Sequence, residues 1–398
     1  FVQDNLTGVR IVRAYTQERE QEQQFRAHNE HYRTRNMDLA LTAGAFHPLL
    51  VTLAGFALVF VTWLGALEVI AGTISIGDYV AFGLYVALLV WPMISLGWVV
   101  NLYQRGAASM GRLNKILSTK ASVAIPEQPR SLLSAKGKIE FRDVSFVYPD
   151  TERTILDHVS FIADPGDTIA IVGPTGSGKS TLIALLARLY DPTRGTVLFD
   201  EIPLTELDPS EVKEKIGMVP QDIFLFSDTI ARNISLGSDH DLPKTVHDGT
   251  GDITYATKMA QLHEQITEFP NGYETLLGER GINLSGGQKQ RATLARALAR
   301  DPLILVLDDA LSAVDTHTEM RILDDLQETM SGRTSFIISH RVSAVMRADK
   351  ILVLDEGVVV ESGTHAELIA TGGTYTGLLR RQLLEEDLEA AVVSMASA

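Results

Sequence analysis

The 398 residues contain no cysteine, so neither a disulfide framework nor a thiolate metal site is available. Such a composition fits a reducing compartment. Positive charge is also scarce: 35 Lys and Arg stand against 50 Asp and Glu, for a formal net charge of −15. Phosphate contacts along a nucleic acid need clustered Lys and Arg, so no nucleic-acid partner is expected. The first residue is Phe1 rather than Met, and no signal-peptide pattern opens the chain. The expectation is a fragment whose amino-terminal part is missing. Charge of either sign vanishes from two runs, 39–67 and 79–104. Each exceeds the ~20 apolar residues needed to cross a bilayer. Core helices of a soluble fold seldom lack all charge over such lengths.

The flanks of these runs give an orientation. Arg33 and Arg35 precede the first, Arg105, Arg112 and Lys115 follow the second, and the connection Glu68–Asp78 carries no Lys or Arg. By the bias of basic residues toward the inner face, both ends of the hairpin lie in the cytoplasm. Pro48 and Pro92 fall within the spans and are expected to kink them. His47, Trp63, Trp91 and Trp98 are candidates for a substrate path, but packing or interfacial anchoring is the favoured reading of them. Asn101 reads as interhelical hydrogen-bonding. Ahead of the spans, Asp4 to Arg35 reads as one polar helix, a solvated face or part of a cytoplasmic stalk.

Past the spans the chemistry changes. Residues 118–137 form a linker without a strong period. Lys138 to Phe146 then alternates apolar and polar, as a half-buried strand does. The rest of the chain is organised around Gly173-Pro174-Thr175-Gly176-Ser177-Gly178-Lys179-Ser180, preceded by the apolar run Thr168–Val172 and followed by Thr181–Ala187. Strand, glycine loop and helix together are the setting a phosphate-binding loop requires. Glycines let consecutive backbone N–H groups turn inward around an anion, and the helix adds the positive end of its dipole. Lys179 suits the β- and γ-phosphates of ATP, and the Ser180 hydroxyl suits Mg²⁺. Leu303–Leu307 reads as a buried strand delivering Asp308 at its carboxyl end, where a Mg²⁺-holding aspartate belongs. Leu284-Ser285-Gly286-Gly287-Gln288 opens a further helical run, a second anion-binding terminus. Further strand signals at Ser335–Ile338 and a hairpin at Ile351–Val360, turning through Glu356-Gly357, complete the pattern. The fold class expected is a membrane α-helical segment followed by an α/β phosphate-loop NTPase domain, its central sheet largely parallel with an antiparallel hairpin added.

Found together and in this order, these motifs resemble an ABC exporter half-transporter, covering its last two membrane helices and its nucleotide-binding domain. The resemblance implies residues 1–117 as a partial transmembrane domain, with coupling helix and stalk in 1–38. It further implies a linker over 118–137, a nucleotide-binding domain over 138–381 and a tail of unassigned role over 382–398. It implies ATP binding by Tyr148, which matches an adenine-stacking aromatic, and by residues 173–181, Gly173 to Thr181. Gln221 matches a glutamine that contacts Mg²⁺ and senses the membrane domain, so the Mg²⁺ set becomes Ser180, Gln221 and Asp308. Residues Leu284, Ser285, Gly286, Gly287 and Gln288 match the family signature, which acts on ATP held by a partner chain. Ser312 and Asp315 match the loop that crosses to that partner, and His340 matches the histidine at the γ-phosphate. Gly278–Gly281 is similar to the exporter-specific loop, and Asn5–Val12 to a coupling helix. The partners implied are a second half-transporter, the lipid bilayer and a small amphipathic substrate.

One position departs from the family. The residue after Asp308 is usually Glu, which polarises the attacking water, whereas this chain has Asp309. Its arm is one methylene shorter, leaving the carboxylate roughly 1–1.5 Å short, and misplacement on that scale costs about 10²-fold. The same replacement is familiar in one subunit of bacterial heterodimeric exporters, so the expectation is a heterodimer in which this chain carries the slow ATP site. A homodimer tolerating the change is the alternative. Two other function classes stand beside the exporter: a stand-alone ATP-binding module, such as an importer subunit or DNA-repair ATPase, and a member whose membrane part only senses. The two charge-free spans argue against the module.

Overall fold

In a computed structural model of the chain, the described residues are all but 133, 150, 237–252, 279–280, 282, 315, 331, 340–344 and 385–398. They divide into two compact units, 1–120 and 121–398.

The first unit is helical throughout. The stretch read as one polar helix from Asp4 to Arg35 is instead broken into α1 (Val2–Thr7), α2 (Val9–Ala14) and the start of α3 (Glu18–Ile70). The cause is local. The Gly8 N–H closes α1 onto the Asp4 carbonyl at 2.8 Å, and Thr16 sits at φ 53°, outside helical geometry. Helix α3 then runs 53 residues, and α4 (Ile76–Leu117) runs 42. Both continue through their prolines, Pro48 and Pro92. The Thr52 hydroxyl donates back to the Pro48 carbonyl at 2.8 Å, and the Ser95 hydroxyl to the Pro92 carbonyl at 2.9 Å. A reciprocal capping box between Ser75 and Asp78 starts α4. Among the described residues of this unit none is buried, so its Leu, Phe and Trp side chains present apolar surface outward. That is the arrangement a bilayer would cover.

The second unit holds two sheets. One is a four-stranded antiparallel sheet formed by β1 (Ile139–Val147), β2 (Thr154–Ala163), β4 (Arg194–Phe199) and β5 (Ile202–Pro203), in the order β2-β1-β4-β5. The other contains β3 (Thr168–Val172), β6 (Ile216–Val219), β7 (Ile304–Asp308), β8 (Thr334–Ile338), β9 (Lys350–Asp355) and β10 (Val358–Gly363). Its order is β10-β9-β3-β8-β7-β6, parallel except for the β9–β10 hairpin. Strands β7 and β8 are buried along their whole length, as parallel strands covered on both faces are. The expected turn through Glu356 and Gly357 is present, with φ 45° and 84°, the left-handed pair a two-residue hairpin loop favours.

Helix α5 (Lys179–Leu186) packs between the two sheets, where Leu182, Ile183, Leu185 and Leu186 join Phe141, Phe199 and Phe336 in one core. Helices α6 (Pro209–Glu214), α7 (Ile230–Ser235), α8 (Ile253–Met259), α9 (His263–Glu268), α10 (Gly286–Leu298), α11 (Thr316–Met330) and α12 (His365–Thr371) complete the unit. Of these, α7 to α11 share a second core with β7. The boundary between units falls within the stretch read as a linker, whose later residues are bound into the second unit. Arg188, 1 % exposed, donates to the Ala124 carbonyl at 3.0 Å, Leu132 is buried, and the Asp200 carboxylate accepts from the Lys136 and Lys138 N–H groups.

Candidate nucleotide-binding site

Strands β3 and β7, flanking β8 in the central sheet, deliver candidate residues at their carboxyl ends, which is where open α/β sheets bind ligands. At the end of β3 the chain turns through Gly173 at φ 153°, Gly176 at 84° and Gly178 at 103°, and α5 begins. A Cβ at Gly173 would lie 2.0 Å from the Leu354 carbonyl oxygen, and one at Gly178 would lie 2.8 Å from Leu156. Only glycine lets the loop lie that close to its neighbours. Lys179 is buried, and its Nζ donates to the Gly173 and Pro174 carbonyls at 2.9 and 2.8 Å, folding the ammonium over the loop. Burial lowers the Lys179 pKa below the ordinary lysine value, while the nearby Asp308 and Asp309 carboxylates oppose that shift. In the register of the sheet Ile171 pairs with Ile338 and Ile338 with Asp308, so the loop and the strand-end carboxylates emerge at the same end. Ser180 is exposed at the start of α5.

Tyr148 stands beside this helix. Its hydroxyl pairs with the Thr181 hydroxyl at 3.1 Å, and its half-buried ring meets Phe146 and Tyr190 edge-on, with centroids 4.9 and 5.3 Å away. Asp308 ends β7, 5 % exposed. Asp309 follows at φ 50°, in the left-handed region that Asp tolerates better than most residues, its N–H bound to the Ile338 carbonyl at 2.9 Å. Gln221 lies two residues beyond Val219, the end of β6, which pairs with Leu307 of β7. It is exposed on the same edge as Asp308.

The signature candidates open α10. Ser285 caps the helix in a reciprocal box with Gln288, and Leu284 is buried behind it. Gly287 faces the turn that follows Asp309: a Cβ there would sit 2.9 Å from the Ala313 carbonyl oxygen. Ser312 belongs to that same turn and donates to the Asp309 carbonyl at 3.1 Å. Asp315, His340 and residues 279–280 of the exporter-type loop lie outside the described residues.

Two residues that sequence reasoning passed over are part of this arrangement. Gln290 is 3 % exposed and bonds to the turn at 309–313. Arg296, at the far end of α10, donates to the Asn233 carbonyl at 2.7 Å and the Phe224 carbonyl at 3.0 Å, bracing the segment after Gln221. Burial lowers the Arg296 pKa from its ordinary value. On a helix that reads as largely polar, neither residue differs in pattern from a solvated one.

Residues 156–312 match the family described as ABC transporter, and residues 1–93 match ABC transporter transmembrane region. The chain is 39% identical over 383 residues to the probable multidrug resistance ABC transporter ATP-binding/permease protein YheI of Bacillus subtilis (strain 168), covering 96% of this chain and 64% of that protein. It is 37% identical to the multidrug resistance-like ATP-binding protein MdlA of Escherichia coli (strain K12), over 98% of this chain and 64% of the relative. It is 36% identical to an ATP-dependent lipid A-core flippase of Burkholderia orbicola (strain AU 1054), over 97% of this chain and 63% of the relative. A solved bacterial Atm1-family ABC exporter with ATP bound superposes with a TM-score of 0.84 at 33% identity, over 96% of this chain and 66% of that one. The chain thus spans just under two thirds of the length of the curated relatives it matches. With the transmembrane region matched, the two long apolar helices are spans of the cell's inner membrane, and the nucleotide-binding domain lies in the cytoplasm. The chain belongs to the ABC transporter family, as an exporter-type chain in which a transmembrane region is fused to an ABC ATPase domain.

Proposed function

We propose that the chain is one half of an ATP-driven exporter of small amphipathic molecules, of the drug or lipid class, working as a pair with a second half-transporter. One observation carries this: the glycine loop after β3 and the carboxylates Asp308 and Asp309 at the end of β7 lie at the same end of one parallel sheet, in a chain that also has two charge-free spans. The substrate class is supported by relatives named for multidrug resistance and for lipid A-core flipping. The functional division is 1–117 for the partial transmembrane domain, 118–137 for the linker, 138–381 for the nucleotide-binding domain and 382–398 for the tail.

In this reading the backbone N–H groups of residues 175–178 and the start of α5 grip the ATP phosphates, and Lys179 neutralises them. Tyr148 holds the adenine. Ser180, Asp308 and Gln221 offer only oxygen donors, a hard set that fits Mg²⁺, and they would hold it; the ion supplies charge neutralisation on the phosphates. Asp309 orients and deprotonates the attacking water, helped by His340. Residues Leu284–Gln288 complete the ATP site of the partner chain, reached across Ser312 and Asp315. Because the Asp309 arm is one methylene short, this chain's own site binds ATP and turns it over slowly. The partner's site, where a glutamate is expected, carries most of the turnover.

The test is to assemble the full-length pair and replace each catalytic carboxylate separately. The partner's Glu→Gln should remove most ATPase activity, while Asp309→Ala should remove little. If Asp309→Ala abolished activity and the partner's change did not, the assignment would be wrong. Robust ATPase activity of the full-length chain expressed alone would sink the heterodimer.

A further inference from the structure

Helix α10 makes a connection that the motifs alone do not reveal. Its first turn carries Ser285–Gln288, and one turn later the Gln290 side chain enters the protein, 3 % exposed. The Gln290 amide nitrogen donates to the Ser312 hydroxyl at 2.9 Å, and that hydroxyl donates to the Asp309 carbonyl at 3.1 Å. The same nitrogen lies 3.5 Å from the Asp309 carbonyl itself. Its amide oxygen accepts from the Ala313 N–H at 2.8 Å. One side chain thus fastens both ends of the turn 309–313 to the helix that begins with the signature residues.

That turn needs fastening. Asp309 sits at φ 50°, a conformation Asp tolerates better than most residues but does not prefer, so contacts that hold it there matter. Its N–H is fixed from one side by the Ile338 carbonyl at 2.9 Å, at the end of β8. Its carbonyl is fixed from the other side by Ser312 and Gln290. With both peptide groups pinned, the direction of the carboxylate follows from the position of α10. Gly287 tightens the same joint, since a Cβ there would press within 2.9 Å of the Ala313 carbonyl oxygen. Signature turn and carboxylate turn are therefore joined by direct contacts.

We infer that Gln290 is a positioning residue for catalysis at this chain's own ATP site, aiming Asp309 through Ser312 and tying its aim to the signature helix that serves the partner's ATP. The inference rests on the proposed roles of Asp309 and of Leu284–Gln288. Gln290 touches no substrate and acts only through the backbone that carries Asp309.

The experiment uses the full-length chain assembled with its partner half-transporter, loaded with radiolabelled ATP and washed. Nucleotide retained at this chain's loop and its conversion to ADP are then followed in a single turnover. Gln290→Leu preserves volume and removes all three hydrogen bonds, and should slow conversion about tenfold while changing retained ATP less than twofold. In an Asp309→Asn background the same change should add less than a twofold effect, because the group it aims is gone. Gln290→Glu keeps an acceptor for the Ala313 N–H and loses the donor, so it should fall between wild type and Leu. Conversion within twofold of wild type in the Leu variant would overturn the inference, as would equal slowing in both backgrounds. If the Leu variant loses retention and conversion together, the Glu variant decides: conversion reduced more than retention supports the inference, and equal loss of both overturns it. Fast conversion in the wild-type pair would refute the slow-site reading instead, leaving the ratio of variant to wild type to decide on Gln290.

Discussion

The two units use the same amino acids to opposite ends. In α3 and α4, Leu58 is 48 % exposed and Leu88 is 69 % exposed, and among the described residues of the unit none is buried. In the nucleotide-binding unit, Leu182 and Leu186 are completely buried between two sheets. A leucine in the first unit is there to be compatible with lipid; a leucine in the second fills a defined volume. The first unit is specified by composition over long runs and the second by particular contacts. Mutational sensitivity should differ accordingly.

The largest effect is expected where packing is most specific. Leu182→Ala should destabilise the nucleotide-binding unit by about 2–5 kcal/mol through lost burial and a residual cavity. The same substitution at Leu58 should cost less than about 1 kcal/mol, since it leaves the span apolar and the helix intact. Thermal unfolding of the purified full-length chain in detergent, compared between the two variants, checks the difference. Equal losses would break the comparison. A charge reverses the ranking for the membrane unit: Leu58→Arg should cost about 2.5–3.5 kcal/mol of insertion, read as the fraction of chain recovered in membranes.

The smallest expected effect lies on the exposed rim of the antiparallel sheet. His158 pairs with Asp143 at 2.6 Å and lies 3.8 Å from Asp157, and the hydrogen bond and charge of Asp143 raise its pKa, with Arg194 opposing. A histidine whose folded pKa is raised stabilises the fold below its unfolded pKa and loses that contribution as pH rises through the folded value. Relative to His158→Gln, the wild-type chain should therefore melt slightly higher below about pH 6 and identically by about pH 8. Melting curves across that range check the sign.

The same contrast decides how much could be read in advance. The spans were legible because absence of charge over 39–67 and 79–104 is a property of composition that no neighbouring contact can override. The glycine loop was legible because its φ values and the strand and helix around it leave almost no other residues possible. The break of the polar stretch at Gly8 and Thr16 was not, since nothing in a run of Gln, Glu and Arg marks where the helix restarts. The antiparallel sheet was seen only through its first strand. Strands β1 and β2 pair with repeated register shifts, and such irregularities blur the alternation that would announce them. The stretch 118–137 looked structureless because its order comes from outside, from Arg188, Glu211 and Asp200 far along the chain. Gln290 was missed for a similar reason: only the turn packed against it shows that it is buried.

The central claim is that the loop at Gly173–Ser180 grips ATP while the partner's loop turns it over. Counting ATP and ADP separately at each loop, in the assembled full-length pair during steady turnover, tests it most directly. The account predicts intact ATP retained at this chain's loop through many turnovers of the partner. Equal ADP production at both loops would contradict it.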